Sequence, residues 1–240
     1  ISKSLNLSEV DHCLNIMPLF HIHGLIAILA ASIKSGASVY ASNGFNALKF
    51  LELAKSEKIT WYSGVPTMHQ AILLRAEKNL ELAKNLNLRF IRSSSASLPP
   101  AVFEKLNSVF GCSVIEAYGM TEATHQMTSN PMPPKKQMPG FVGIPAGPEV
   151  CIMDEKDKIL NQGETGEICI KGDNVTLGYD NNPEANKNSF TNGWFRTGDQ
   201  GYFDQNGYLK ISGRLKEIIN KGGEKISPLE VDNILMDHPL

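Results

Sequence analysis

The sequence lacks the marks of several large functional classes. Its longest apolar run, near GLIAILAASI (24–33), falls well short of the roughly 20 residues that a bilayer-spanning helix needs, and no secretory leader is visible. It has no charge excess: 23 Lys plus Arg stand against 25 Asp plus Glu, so nothing argues for a nucleic-acid partner or a membrane surface. It is poor in cysteine. Cys13, Cys112, Cys151 and Cys169 lie far apart with no CxxC spacing, which argues against zinc and for reduced core thiols, and hence for a cytoplasmic compartment. Internal repeats and low-complexity tracts are missing as well. What is present is 42% hydrophobic and 20% charged residues over 240 positions, enough for one large domain or two small ones with a sizeable core. The chain opens on Ile1 and stops at MDHPL, which reads as a piece of a longer protein.

The first half alternates short β-branched and aromatic runs with helical patterns. ASVYAS (37–42), ITWYSGVP (59–66), LRFIRSSSA (88–96) and CSVIEAYG (112–119) read as strands. Between them, NALKFLELAKSEK (46–58) reads as a helix capped by Asn46, with Leu48, Leu51 and Ala54 on its inner face. TMHQAILLRAEKNL and PPAVFEKLNSVF (99–110) read as two more, the latter with proline early, where it is tolerated. The order implies a parallel sheet with crossover helices, in which ligands bind beyond the carboxyl ends of the strands. SSSAS and YGMTEATH both fall at such ends. After about residue 130 the texture changes. SNPMPPKKQMPG reads as an ordered loop, and short strands with glycine turns follow, including a DQNG hairpin at 204–207. The expected division is 1–139, an α/β part; 140–213, an antiparallel barrel-like subdomain; and 214–240, the truncated start of a further domain. There Ser227, Pro228 and Glu230 make a helix start.

EAYGMTEATHQM (116–127) sets two acids, several hydroxyls and a histidine beside a Tyr-Gly turn. A polar loop after a strand is the bland reading; the rest of the chain argues for more. YGMTEA, WFRTGDQGYFDQNGYLKISGRLKEII and GGEKISPLEVD resemble the adenylate-forming superfamily of acyl-CoA synthetases, luciferases and peptide-synthetase adenylation domains. PLFHIHG (18–24) and SSSASLPP (93–100) resemble two further signatures of the acyl-CoA synthetase branch, and YGMTEATHQMTSNP is most similar to the oxalate–CoA ligases. The resemblance implies an AMP-forming acid–thiol ligase. A carboxylate attacks the α-phosphate of ATP, and coenzyme A then displaces AMP from the acyl-adenylate. A medium-chain or aryl acyl-CoA ligase remains an alternative. So does a nucleotide-binding module without turnover.

The resemblance implies the following roles. Glu122 is the magnesium ligand, a hard cation preferring oxygen, and Thr121 donates to the α-phosphate. Glu116, Ala117, Tyr118 and Gly119 form one wall and backbone edge for adenine, and Ser94, Ser95 and Ala96 flank its other side. Asp199 accepts from the ribose hydroxyls, and Arg214 meets ribose or phosphate oxygens. Lys216 sits at the hinge before the small C-terminal domain. His21 corresponds to an aromatic-or-His gate at the acyl site. For the acid itself, His23 and His125, with Ser94 or Ser95, are expected at the distal carboxylate of a small dicarboxylate, as donors or, if protonated, as charges. The competing readings are solvated surface groups for Glu122 and Lys216, a surface salt bridge for Arg214, turn or cap residues for Thr121 and Asp199, and packed core histidines for His23 and His125. The family's phosphate loop and its C-terminal catalytic lysine are expected outside this chain, so the segment alone is expected not to form acyl-adenylate. A peroxisomal address, in a eukaryotic source, would likewise sit at an end not included here.

Overall fold

A computed structural model describes residues 1–222 and 224–236. Gly223, within GGEKISPLEVD, and the closing DHPL lie outside the described residues. The first sheet has seven strands in the order β2-β1-β3-β4-β5-β6-β7. Here β1 is His12–Asn15, β2 Ser38–Ala41, β3 Trp61–Gly64, β4 Phe90–Ser93, β5 Ser113–Met120, β6 His125–Ser129 and β7 Ile144–Pro145. The first five strands run parallel; β6 and β7 join antiparallel. Strands β3 and β4 are buried throughout, as central strands of a sheet covered on both faces must be.

Side chains alternate across this sheet with the period of two that strand geometry imposes. Leu14, Tyr62, Ile91 and Val114 face one way, against the helices α2 (Phe50–Ser56), α3 (Pro66–Ala76), α4 (Leu80–Lys84) and α5 (Pro100–Phe110). Helix α5 buries Val102, Phe103, Leu106, Val109 and Phe110, a helical-period stripe, and ends at Gly111, whose φ of 64° is left-handed. Cys13, Trp61, Phe90 and Ile115 face the other way, toward Leu5 and Ile28. Ile28 belongs to a wide-turned π-helical segment, His23–Ala30, which runs on into α1 (Ala31–Lys34). The sequence reading registers this segment only as an apolar run, and it also misses β1 and β6.

The α2 expectation needs correction. The helix begins at Phe50, not at residue 46. Asn46 Oδ1 accepts from the Leu48 and Lys49 amides and so caps a preceding turn. Leu48 is exposed, and Phe50 takes the inward place assigned to it.

The second sheet is antiparallel, in the order β10-β11-β9-β8 with β12 also pairing β11. Its strands are β8 (Glu149–Met153), β9 (Gly166–Lys171), β10 (Phe190–Thr191), β11 (Trp194–Phe203) and β12 (Leu209–Arg214). The DQNG turn joins β11 to β12 as expected: Asp204 Oδ1 accepts from the Asn206 and Tyr208 amides, and Gly207 takes a φ of 80°. The short helix α6 (Pro183–Ser189) starts on Asn182, whose side chain accepts from the Ala185 amide. Ile152, Ile168, Ile170, Phe195 and Leu209 of this sheet share one core with Tyr118, Met127 and Val142, so the two sheets are held together by apolar burial. The fold is therefore the expected one: a parallel sheet with crossover helices, followed by an antiparallel, barrel-like sheet. A hairpin of β13 (Ile219–Lys221) and β14 (Glu224–Ile226) then leads into α7 (Pro228–Met236). Ser227 precedes α7 as expected, but its hydroxyl donates to the Ser212 carbonyl, and it is the Ser227 carbonyl that meets the Glu230 and Val231 amides.

Candidate active site

Two adjoining cavities open where β4 and β5 end against the second sheet. The larger, of about 670 Å³, is lined by residues including His21, Ser95, Thr121, Glu122, His125 and Lys216. The smaller, of about 340 Å³, is lined by residues including Ala96, Ala117, Tyr118 and Asp199. Ser95, Gly119, Met120, Arg214 and Glu217 line both. Eleven expected positions thus meet at one place: His21, Ser95, Ala96, Ala117, Tyr118, Gly119, Thr121, Glu122, His125, Asp199 and Arg214, with the hinge candidate Lys216 at the rim.

The smaller cavity is built around a hydrogen-bonded trio of Asp199, Arg214 and Tyr118. Asp199 and Arg214 are register partners across β11 and β12. Arg214 Nε donates to Asp199 Oδ1 over 3.2 Å, and the Tyr118 hydroxyl donates to Asp199 Oδ2. Burial raises the Asp199 carboxyl above its ordinary value, opposed by these two partners, and burial together with the Asp199 charge holds the Tyr118 phenol well above its own. Tyr118 therefore stays a donor. Each carboxylate oxygen keeps a second acceptor direction, the capacity that a vicinal diol requires.

In the larger cavity, Glu122 lies half-buried on a single 3₁₀ turn, Thr121–Ala123. Its Oε1 accepts from the Tyr179 hydroxyl over 2.7 Å, and its backbone carbonyl accepts from the Thr176 amide. Its Oε2 makes no hydrogen bond among the described residues, and neither does the Thr121 hydroxyl. Among the described residues, no cluster of three His, Cys, Asp or Glu side chains could hold a metal ion unaided. One open carboxylate does fit a magnesium ion whose remaining ligands are phosphate oxygens and water.

Gly119 is required for a reason additional to the expected approach to adenine. A Cβ there would lie 1.7 Å from the His125 carbonyl oxygen, because β5 and β6 close tightly at the bulge between Tyr118 and Gly119. His125 itself has a φ of 79° and Ser95 one of 74°, both left-handed without being glycine. Such backbone persists only where the surroundings over-determine it.

Three expected site residues are not at the cavity surface. Glu116 is buried, its Oε1 accepting from the Leu98 amide over 3.0 Å and its Oε2 without a partner; burial pushes its carboxyl up to about 8. It lies behind the expected adenine wall, because alternation along β5 turns its side chain to the helix side. Ser94 is also sealed in, its hydroxyl committed to the Ala117 carbonyl over 2.8 Å. His23 is fully buried, its Nδ1 2.9 Å from Ser95 Oγ and its Nε2 2.6 Å from Ser63 Oγ. Its hydrogen-bonded link to the cavity runs through Ser95, and its ring packs against that of His125 at 5.2 Å between centroids.

The sequence reading of LRFIRSSSA assigns no role to Arg92, yet this side chain is completely buried behind the larger cavity. It contacts Ser63, His23, His125 and Gln126. Burial lowers the guanidinium only to about 10, so it is charged at neutral pH. Burial first, and Arg92 second, push His125 down to about 2 and His23 lower still. The expectation that these histidines could carry charge is thereby corrected: they are neutral, and the cation is the arginine. The available signal was an arginine inside an otherwise apolar strand. Tyr179 was missed because no local pattern announces a contact 57 residues away.

The model for the AMP-binding enzyme family matches residues 1–180. The chain is 52% identical to an oxalate–CoA ligase of Arabidopsis thaliana over 242 residues, covering 100% of this chain and 47% of that protein. It is 48% identical to an oxalate–CoA ligase of Saccharomyces cerevisiae over 241 residues, covering 100% of this chain and 44% of that protein. Among solved structures, ATP-bound MatB from Rhodopseudomonas palustris superposes with a TM-score of 0.91 at 31% identity, over 99% of this chain and 46% of that one. The chain thus spans about half the length of the relatives it matches. With its carboxylate and tyrosine gathered at the strand ends and a family match that runs from residue 1 through the first two strands of the second sheet, the chain belongs to the AMP-binding enzyme family.

Proposed function

We propose that the whole protein is an ATP-dependent carboxylate–CoA ligase working through an acyl-adenylate, and that its acid is oxalate or another small dicarboxylate. The observation that carries the choice of acid is the polar floor of the larger cavity. Ser95 and His125 lie there beside Glu122, where a fatty-acyl or aryl enzyme would present apolar walls. The relatives of A. thaliana and S. cerevisiae, both named for oxalate, support the same reading.

In this reading Ala96, Ala117, Tyr118 and Gly119 take the adenine, Asp199 the ribose hydroxyls, and Arg214 ribose or phosphate oxygens. Thr121 donates to the α-phosphate. Glu122 would hold magnesium, which when bound offsets phosphate charge. The acid's carboxylate oxygen bonds to the α-phosphorus while the bridge to the β-phosphate breaks and pyrophosphate leaves. The thiolate of coenzyme A then bonds to the acyl carbon, AMP leaves, and the thiol proton passes to solvent. Lys216 lies at the turn about which the following domain would rotate between the two steps. Positioning and charge neutralisation are what such a reaction asks of the protein, since carboxylates are weak nucleophiles.

The test is hydroxamate trapping of the adenylate by the full-length protein across a panel of acids. Oxalate is expected to outpace acetate, hexanoate and benzoate. Equal or faster turnover of hexanoate or benzoate would discard the dicarboxylate assignment, and no AMP formation with any acid would discard the ligase.

A further inference from the structure

Arg92 is a buried cation without a counter-ion. Its side chain is completely sealed, its Nε has no partner, and none of the ion pairs among the described residues includes it. Its four contacts are all to neutral groups and all long. Nη1 lies 3.3 Å from Ser63 Oγ and 3.5 Å from His23 Nε2; Nη2 lies 3.4 Å from Gln126 Oε1 and 3.5 Å from His125 Nδ1. Leaving a charge buried and unpaired is expensive, so the missing anion is the informative feature. Register places Arg92 between Ser63 of β3 and Ile115 of β5, at the last turns of the strands that end at the larger cavity.

A guanidinium only donates, so every atom it meets must accept. That rule propagates along two arms. On one arm, His125 Nδ1 accepts from Arg92, which leaves the ring proton of the neutral imidazole on Nε2. That nitrogen has no partner among the described residues and is not among the sealed polar atoms, while His125 lines the cavity. On the other arm, Ser63 Oγ accepts from Arg92 and gives its own proton to His23 Nε2, 2.6 Å away. His23 must then carry its ring proton on Nδ1 and donate to Ser95 Oγ at 2.9 Å. The Ser95 hydroxyl hydrogen is left free to point into the cavity that Ser95 lines. Both end residues are held in left-handed backbone, which persists only where the surroundings over-determine it.

We propose that Arg92 is a positioning residue that sets the polarity of two donors, His125 Nε2–H and Ser95 Oγ–H, so that they and its buried charge together hold the distal carboxylate of the acid. The inference rests on the dicarboxylate reading above and says how that site discriminates. A monocarboxylate has no group to meet the two donors, whereas a dicarboxylate supplies the anion that Arg92 lacks.

The experiment measures adenylate formation by the full-length enzyme on oxalate and on acetate, in wild type, Arg92→Gln and Ser63→Ala. Loss of charge-assisted hydrogen bonding of this kind corresponds to about 10- to 100-fold. Arg92→Gln is therefore expected to raise the KM for oxalate by about that factor. The KM for ATP and the acetate rate should stay within about 2-fold, a split that mere loosening of the fold would not give. Ser63→Ala weakens one arm only, since Arg92 Nη1 still meets His23 Nε2 directly over 3.5 Å, and a smaller rise, of about 3-fold, is expected. Should Arg92→Gln fail to fold, Ser63→Ala decides alone. A wild-type preference for oxalate that survives unchanged in every variant that folds overturns this inference and leaves the dicarboxylate reading standing. A wild type with no such preference overturns both.

Discussion

The two adjoining cavities handle charge in opposite ways. The smaller offers an anion already partnered: Asp199 takes hydrogen bonds from Tyr118 and from Arg214, whose side chain is 66% exposed. Behind the larger, a cation lies buried with no ion-pair partner among the described residues, Arg92 beneath Ser95 and His125. The first arrangement suits a neutral ligand that brings hydroxyl donors, because the carboxylate keeps spare acceptor directions. The second suits a ligand that brings its own negative charge. On the proposed function, one crevice would read a nucleoside on one side and an acid on the other, without either half competing for the other's ligand.

Gly119 lines both halves, and changing it tests them together. Gly119→Ala places a methyl against the His125 carbonyl, and backbone cannot yield as a flexible side chain would. A loss of about 3–5 kcal/mol is expected, the range of severe core strain, read as a markedly lowered thermal midpoint of the full-length protein. An unchanged midpoint would mean that β5 and β6 do not close as described.

Glu116 is a third carboxyl, and it contrasts with Asp199 because it has no cation beside it. The folded chain holds its proton up to about 8, against an ordinary 4.5. Between those values the unfolded chain has released a proton that the folded chain keeps, so stability falls as pH rises through that window and levels off above it. Glu116→Gln keeps the acceptor for the Leu98 amide and removes the titration. Its stability relative to wild type should therefore improve from pH 5 to pH 9, by roughly a few kcal/mol. Parallel denaturation curves for the two proteins at both pH values would contradict this.

The functional split between the halves predicts a crossed result. His125→Ala should raise the KM for oxalate by about 10- to 100-fold and leave that for ATP nearly unchanged; Asp199→Ala should do the reverse. Both variants moving the same constant would collapse the comparison, and kinetics with each substrate varied in turn decides it. The smallest effect is expected at the rim. Because Arg214 is largely exposed, Arg214→Gln should cost at most about 1 kcal/mol of stability, whatever it does to nucleotide affinity. A loss of several kcal/mol would show the pair to be far better shielded than its exposure indicates.

Much of this was legible in linear order. Strand–helix alternation announced the parallel sheet, and the glycine-turn texture after residue 130 announced the second. YGMTEA and RTGD marked segments that do converge, the first at the end of β5 and the second within β11. Failures came where a local rule had two outlets. Asn46 caps, but it caps a turn before the helix; Ser227 precedes α7, but spends its hydroxyl on Ser212. Glu116, Ser94 and His23 belong to the right segments, yet side-chain alternation and backbone partners turn them away from the cavity.

The amino-acid order alone determined the element types, the strand-end loops and the residue chemistry gathered there, because periodicity, turn propensity and motif spacing are local properties of a chain. Which of those residues face a ligand, which nitrogen of His125 carries its proton, and whether Arg92 has a counter-ion were decided only by tertiary structure. Burial and hydrogen-bond direction depend on atoms brought together from positions as distant as Ser63, Arg92 and His125. A desolvated charge acts through what surrounds it, and those surroundings exist only once the chain has folded.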